Sequence, residues 1–440
     1  MHSRLLARIL ALLLPGTLAT LQPASADDQE ARAFVLTSAD TLLTSPLRNL
    51  PAEHRRDSLG TALKLVELDA SQRDLLSTHV HEQEGRCGGY FAFSSRAEAE
   101  DFLSTERALT SVVAPAAITY SIDSQRTVAP WLPRVAEANI RATIAHLSSF
   151  QNRYYASTHG RRAAEWIGET WLALGQGRAD VQMELFSGCS NCSTQPSVIL
   201  TVQGNELPDE VVVVGAHLDS IRSGANGNLE QFAPGADDDA SGIAVITETI
   251  RIALANGWKP QRTIKFMGYA AEEVGLRGSG AIAQAFVDSG ANVVGVLQLD
   301  MTNFRSGVGH HFHFVSDYSN GPLLAYMYDL FDAYLAPRGF IRRSIACGYG
   351  CSDHASWTNR GFPAVMASEP GSATHAFYSG LHTANDTLPQ VGGTAETSVP
   401  FAYFALAFVG EMAKTSADSG HPPMFADDFE APPESARHAR

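Results

Sequence analysis

Val211-Val212-Val213-Val214-Gly215-Ala216-His217-Leu218-Asp219-Ser220 is the stretch that decides the fold. Four consecutive β-branched side chains, apolar toward both faces, predict a central parallel strand. His217 and Asp219 stand just past its C-terminal end, where open α/β sheets place their ligands. A polar loop leads to Pro234-Gly235-Ala236-Asp237-Asp238-Asp239-Ala240-Ser241-Gly242, and a helical pattern runs from Ile243 to Ala255. One of the three aspartates can cap that helix. Holding all three together calls for a cation.

Two further stretches repeat the arrangement. Arg262 to Ala271 reads as a strand and runs into Glu272-Glu273-Val274-Gly275; Val293 to Leu299 reads as another and ends in Asp300-Met301-Thr302-Asn303. Each strand delivers carboxylates at its C-terminal end. Downstream, Leu381-His382-Thr383-Ala384-Asn385-Asp386 adds a loop histidine. Two histidines and several carboxylates, with no cysteine among them, are the donors a hydrolytic zinc site uses. Glu272 and Glu273 are neighbours on a chain leaving a strand, so one can face a metal while the other faces water. Asp219, two residues past His217 on the same side, is placed to orient its imidazole from behind.

The chain has 440 residues, 45% of them hydrophobic, and a net charge of -15. That length suggests two domains plus tails. The acidic balance argues against nucleic acid or an anionic membrane as partner. Residues 1–26 read as a signal peptide: Arg4 and Arg8, a short apolar run from Ile9 to Leu14, and Ala24-Ser25-Ala26 as the cleavage site. The expected location is therefore extracellular, reached directly or through a periplasm, with no stable membrane association. Export permits disulfides. Cys347 and Cys351 would close a tight loop. Cys189 and Cys192 could do the same or form a redox or zinc pair, and Cys87 is unmatched.

Residues 27–125 form a small α+β unit, with strands at Leu63–Leu68 and Tyr90–Phe93 and helices at Ser71–Glu82 and Arg96–Leu109. Ser121 to Pro133 reads as a linker. Residues 126–415 alternate strands and helices, which predicts an α/β fold with a mostly parallel central sheet and helices on both faces. Residues 416–440, rich in Pro, Ala and charge, read as a disordered or processed tail.

Taken together, Gly215 to Ser220, Ala233 to Gly242, Ala270 to Gly275, Leu299-Asp300-Met301, His382-Thr383 and the loop Cys347 to Trp357 resemble the secreted bacterial di-zinc leucyl aminopeptidases. The segment Cys87-Gly88-Gly89-Tyr90 resembles that family's propeptide, so 27–125 is expected to be a propeptide of a zymogen. The resemblance implies two Zn2+ ions per chain. Asp238 would bridge them; His217 and Asp300 would complete one site, Glu273 and His382 the other. Glu272 would be the general base and Tyr349 an oxyanion donor. Met301, Cys347 and Cys351 would line an apolar pocket for leucine and similar residues. Substrates would be peptides with a free N-terminus, and the enzyme a monomer.

Rival readings remain. A carboxypeptidase would need a cation for the substrate carboxylate, for which Arg305, Arg342 and Arg343 are candidates. A glutaminyl cyclase would use related ligands with one zinc. A secreted binding protein would be non-enzymatic. Ser352-Asp353-His354 offers triad residue types, yet no Gly-x-Ser-x-Gly elbow occurs. His310, His311 and His313 read as a surface loop. His-Glu-x-x-His is absent, which excludes the helical zinc proteases.

Overall fold

The computed structural model describes residues 32–417, except 86–87, 112–117, 226, 256 and 373–376, and only the backbone of 106–111. The expected signal peptide (1–26), Cys87 and the tail beyond 417 lie outside the described residues.

The N-terminal unit runs β1 (Ala33–Ser38), α1 (Ala39–Thr44), β2 (Ala52–Arg56), β3 (Ala62–Leu68), α2 (Ala70–Glu84), β4 (Tyr90–Phe93) and α3 (Arg96–Ser111). Its antiparallel sheet has the order β2-β3-β1-β4. A capping box starts α2: the Asp69 carboxylate accepts from the Gln72 N–H while the Gln72 side chain accepts from the Asp69 N–H. Gly85, in the left-handed region, ends it.

The larger unit continues with α4 (Gln125–Val128), α5 (Glu137–Leu147), α6 (Thr158–Leu174), β5 (Val181–Phe186), β6 (Ser197–Val202), β7 (Leu207–His217), α7 (Ala240–Leu254), β8 (Arg262–Tyr269), α8 (Arg277–Asp288) and β9 (Asn292–Leu299). It closes with β10 (Phe312–Val315), α9 (Gly321–Tyr334), β11 (Arg342–Ile345), α10 (His354–Thr358), β12 (Ala364–Ser368) and α11 (Val399–Ala413). The eight strands lie in the order β11-β10-β12-β9-β7-β8-β6-β5. The central four, β12-β9-β7-β8, are mutually parallel, while β5, β6 and β10 pair antiparallel on the flanks. The sheet is therefore mixed, with its parallel part where the site lies.

Strand alternation explains the burial of β7. Val212 and Val214 face one core, packed with α5, α7, α9 and α11; Val211 and Val213 face the other, closed by Ile282 of α8 and Trp357 of α10. Both faces are covered, so no position of this run can be polar. Helix α11 is apolar apart from Glu411 because it too is buried on nearly every side. The stretch expected as a linker is instead fastened down. The backbone N–H groups of Asp123 and Ser124 donate to Glu411 of α11 at 2.9 and 2.8 Å, and Val128 and Trp131 enter the main core. Among the described residues no helix is long and apolar enough to cross a membrane.

Candidate metal centre

The parallel strands converge on one buried cluster. His217 ends β7, Glu272 and Glu273 follow β8, and Asp300 follows β9. Asp238 precedes α7 and His382 comes from the loop before α11. All six are between 1% and 4% exposed. Asp238 stands between the histidines. Its Oδ1 is 2.8 Å from His217 Nε2, and its Oδ2 is 3.1 Å from His382 Nε2. Asp300 Oδ1 lies 3.4 Å from the same His217 nitrogen, and Glu273 Oε2 lies 2.7 Å from the same His382 nitrogen. Two groups thus form, each of one histidine and one private carboxylate, joined by Asp238.

Supporting residues fix this arrangement through the backbone. Asp219 accepts from the N–H groups of Glu272 (3.0 Å) and Glu273 (3.2 Å), while its Oδ1 is 3.6 Å from His217 Nδ1. Its closest bonds position the glutamate pair, a role the sequence did not indicate. The two glutamates do not leave β8 as an extended strand either. Ala271 takes a left-handed φ of 55°, and the chain turns there. Met301 and His382 have φ of 61° and 53°. Three non-glycine residues in this region at one site mark backbone held in place by its surroundings.

Asp239 accepts from Gly242 N–H at 2.8 Å as the cap of α7, and also from the N–H groups of His217 and Met301 at 3.2 Å each. Asp237 accepts from Asn303 N–H at 2.8 Å. Asp386 accepts from the N–H groups of Asp237 (2.9 Å) and Asp238 (3.0 Å). Arg153, fully buried, donates to the carbonyls of Leu218, Pro234 and Gly235 at 2.9, 2.6 and 2.8 Å. It laces the His217 turn to the aspartate loop. Ser352 Oγ donates to Asp300 at 2.6 Å. Neither Arg153 nor Asp386 belongs to a spacing pattern, so sequence alone gave them no role.

The electrostatics fit a bound cation. Burial, with Glu273, Asp353 and Asp300 nearby, pushes Glu272 well above the usual carboxylate range against the pull of His217. Burial, then Asp238, lifts Glu273 to about 7. Burial would raise Asp238 too, but His217 and His382 hold it well below that range. Glu272 Oε1 and Glu273 Oε1 are buried with no hydrogen bond from the protein. Such oxygens are costly unless something positive meets them. Imidazole nitrogen and carboxylate oxygen, without thiolate, suit zinc in a hydrolytic site.

Comparison with known proteins agrees. The model of peptidase family M28 matches residues 197–402. Leucine aminopeptidase 1 of Arthroderma otae is 33% identical over 331 residues, which span 71% of this chain and 84% of that protein. The crystal structures of LapA aminopeptidase and LapB from Legionella pneumophila are 25% and 28% identical. Each covers 87% of this chain and 99% of its own, with a TM-score of 0.70.

This chain belongs to peptidase family M28. It is a zinc metallo-aminopeptidase, a hydrolase of peptides. Around the peptidase's cluster lies an apolar patch of Met301, Cys347 and Cys351 with Val315, Met366, Phe377 and Leu381. Cys347 is bonded to Cys351, and Cys189 to Cys192, so both pairs close tight loops and the second pair offers no thiolate to a zinc ion.

The N-terminal unit of the peptidase lies against this site. His81 of α2 meets His382, ring centroids 4.8 Å apart. Gly89 N–H donates to the Gly350 carbonyl and Ala92 N–H to the Gly275 carbonyl, at 2.9 and 3.1 Å. Tyr349 packs against Phe91 of β4 and against Tyr318, centroids 5.5 and 5.4 Å apart. Tyr318 in turn donates to Asp57 at 2.6 Å. Two glycines permit the close approach. A Cβ on Gly275 would come within 2.5 Å of the Ala92 Cβ, and one on Gly88 would overlap the Gly350 carbonyl; both have positive φ.

The decoys resolve. Asp353 accepts from Gln298 at 3.0 Å, and Ser352 is bonded to Asp300 as above; both are buried supports of the site. The histidine patch divides: His310 and His311 lie in the loop before β10, as expected, and His313 does not. Phe312–Val315 forms β10, His313 is 7% exposed, and its Nε2 lies 2.7 Å from that of His310. Arg305 and Arg342 pair with Glu396 (3.8 Å) and Asp332 (2.7 Å), and Arg343 lies beside His310 and His313.

Proposed function

We propose that the peptidase releases N-terminal leucine and other large apolar residues from peptides, with two zinc ions held by Asp238 in common, His217 and Asp300 on one side, and Glu273 and His382 on the other. The observation that carries this is the division of Asp238, one oxygen toward each histidine. Zinc bound there would polarise the scissile carbonyl and lower the pKa of a bound water toward neutrality. Glu272 lies in the cluster but pairs with neither histidine, which suits a proton carrier. It would take the proton of the attacking water and deliver it to the leaving amine nitrogen. Asp219 keeps Glu272 and Glu273 in place by their N–H groups, so the two carboxylates act in fixed orientations. Tyr349 would donate to the developing oxyanion once its loop faces the substrate. The patch of Met301, Cys347 and Cys351 with Met366 and Phe377 would take the apolar side chain.

The same reading makes residues 27–125 a propeptide that blocks the site until removed, which His81 on His382 and Phe91 on Tyr349 support. Export to an oxidising compartment is consistent with two disulfides in one chain.

Hydrolysis of Leu-p-nitroanilide, compared with its N-acetyl form and measured with and without a chelator, tests the proposal after proteolytic removal of the N-terminal unit. Rapid, chelator-sensitive cleavage of the free amine alone is expected. Cleavage of both forms, or of C-terminal residues, would overturn it.

A further inference from the structure

Two hydrogen-bonding groups stand idle beside the apolar patch. Ser368 closes β12, His313 lies in β10, and the two are direct partners across that antiparallel pair. Ser368 is wholly buried and His313 is 7% exposed. Among the described residues neither Ser368 Oγ nor His313 Nδ1 has a hydrogen-bond partner. The other ring nitrogen of His313 is taken by His310, 2.7 Å away. Partners facing each other across a strand pair have Cβ atoms about 5 Å apart, so one small polar group can reach both.

Strand alternation gives the direction in which they point. His313 shares a face with Val315, and Ser368 shares one with Met366. Val315 and Met366 belong to the apolar patch, while Phe312, Phe314, Val365 and Ala367 enter the core on the other side. The sheet also sets the distance from the metal centre. Ala367 pairs with Leu299, so Ser368 stands beside Asp300, and His313 is one strand further out. Two strand spacings place His313 about 10 Å from Asp300. A leucine side chain bound at the centre ends well short of that. A tyrosine ring can lie along Met366 and Val315 and carry its hydroxyl toward the polar pair.

A hydroxyl both donates and accepts, so it matches a serine hydroxyl and an imidazole nitrogen in either tautomer. A purely apolar side chain would leave both groups buried and unpaired. A carboxylate only accepts and would carry its charge into a buried site. Arg343, next to His313 in the same row, is exposed, so its charge sits in water rather than in the pocket. We propose that Ser368 and His313 form a polar floor to the side-chain pocket and hold the hydroxyl of an N-terminal tyrosine, so that the enzyme prefers tyrosine to phenylalanine. This rests on the reading of the apolar patch as the pocket for the substrate's first side chain.

The test compares kcat/KM for the p-nitroanilides of tyrosine, phenylalanine and leucine on the zinc-loaded chain and on its variants Ser368→Ala and His313→Phe. A ratio of two substrates on one sample does not depend on what fraction of sites is open, so the N-terminal unit can stay in place. The parent should favour tyrosine over phenylalanine by at least about tenfold, because a site built to bind a hydroxyl rejects the analogue that lacks it. In Ser368→Ala that ratio should fall toward one while the rate on leucine is unchanged. His313→Phe should lower the ratio as well, and the parent's own ratio needs no variant to fold. Equal rates on tyrosine and phenylalanine by the parent would mean that the pair holds only a water molecule, and would overturn the proposal. A tyrosine preference that survives both substitutions would overturn it too. Either result leaves leucine cleavage, and with it the proposed function, intact. Failure of the parent to cleave any of the three would overturn the proposed function and this inference with it.

Discussion

His81 of the N-terminal unit lies face-tilted against His382, with 4.8 Å between ring centroids and 32° between planes. A substrate reaching His382 must displace this ring. The full chain should therefore be at least about tenfold less active than the enzyme freed of residues 27–125, a difference of about 1.4 kcal/mol. Gly88→Ala should relieve part of that block. Its φ of 60° disfavours a side chain, and a Cβ would strike the Gly350 carbonyl where β4 meets the Tyr349 loop. Activity of the unprocessed chain with and without Gly88→Ala gives the comparison. A variant as silent as the parent would show that docking does not depend on this contact.

Asp386 holds Asp238 from behind by accepting the N–H groups of Asp237 and Asp238. In Asp386→Asn the carboxamide has one acceptor oxygen and turns an NH2 toward one of those donors. Zinc affinity should fall by about 10- to 100-fold, the usual effect of losing a partner behind a ligand. Turnover should recover substantially at high zinc. Competition against a chelator measures the affinity, and an unchanged value would remove Asp386 from the support of the centre.

His313 predicts a pH effect remote from the zinc cluster. Burial, then the charges of His310 and Arg343, pushes its pKa down to about 4. An unfolded histidine titrates near 6.5, so below that pH the unfolded chain binds more protons. The contribution to stability is complete above about pH 6.5 and is lost as pH falls toward 4. Urea midpoints of His313→Gln should decline less than the parent's between pH 6.5 and 4.5. Parallel declines would mean that His313 does not titrate in the folded state as placed here.

What the sequence revealed and what it hid follow from how each signal is written. Val211 to Val214 announces a strand buried on both faces because four adjacent positions share one constraint, and the structure covers both faces. The carboxylates after β8 and β9 are conspicuous because each ends an apolar run. Strands β10, β11 and β12 were missed. They have only four or five residues, and the edge strand β11 carries Arg342 and Arg343, which look like a solvated turn. Arg153 and Asp386 act on backbone N–H and carbonyl groups, which any residue supplies, so no pattern in side-chain identity exposes them. The opposed directions of Glu272 and Glu273 were attributed to strand alternation. The structure instead turns the chain at Ala271 and holds both N–H groups on Asp219.

The last prediction separates holding metal from moving a proton. Asp238 is the carboxylate that faces both histidines, so Asp238→Ala should bring zinc well below two per chain, and activity with it. Glu272→Gln keeps size and reach but cannot accept a proton at neutral pH. Two zinc ions should remain and KM should change little, while kcat falls by about 10²–10⁴-fold, the usual worth of a positioned general base. That is about 3–5 kcal/mol of transition-state stabilisation. Glu273→Gln should weaken one zinc, because Glu273 is the carboxylate beside His382. Metal analysis and steady-state kinetics on the same processed samples decide. Glu272→Gln with both metals and near-normal kcat would mean that another group takes the proton. Glu272→Gln with one zinc missing would mean that the two glutamates have exchanged the roles given to them.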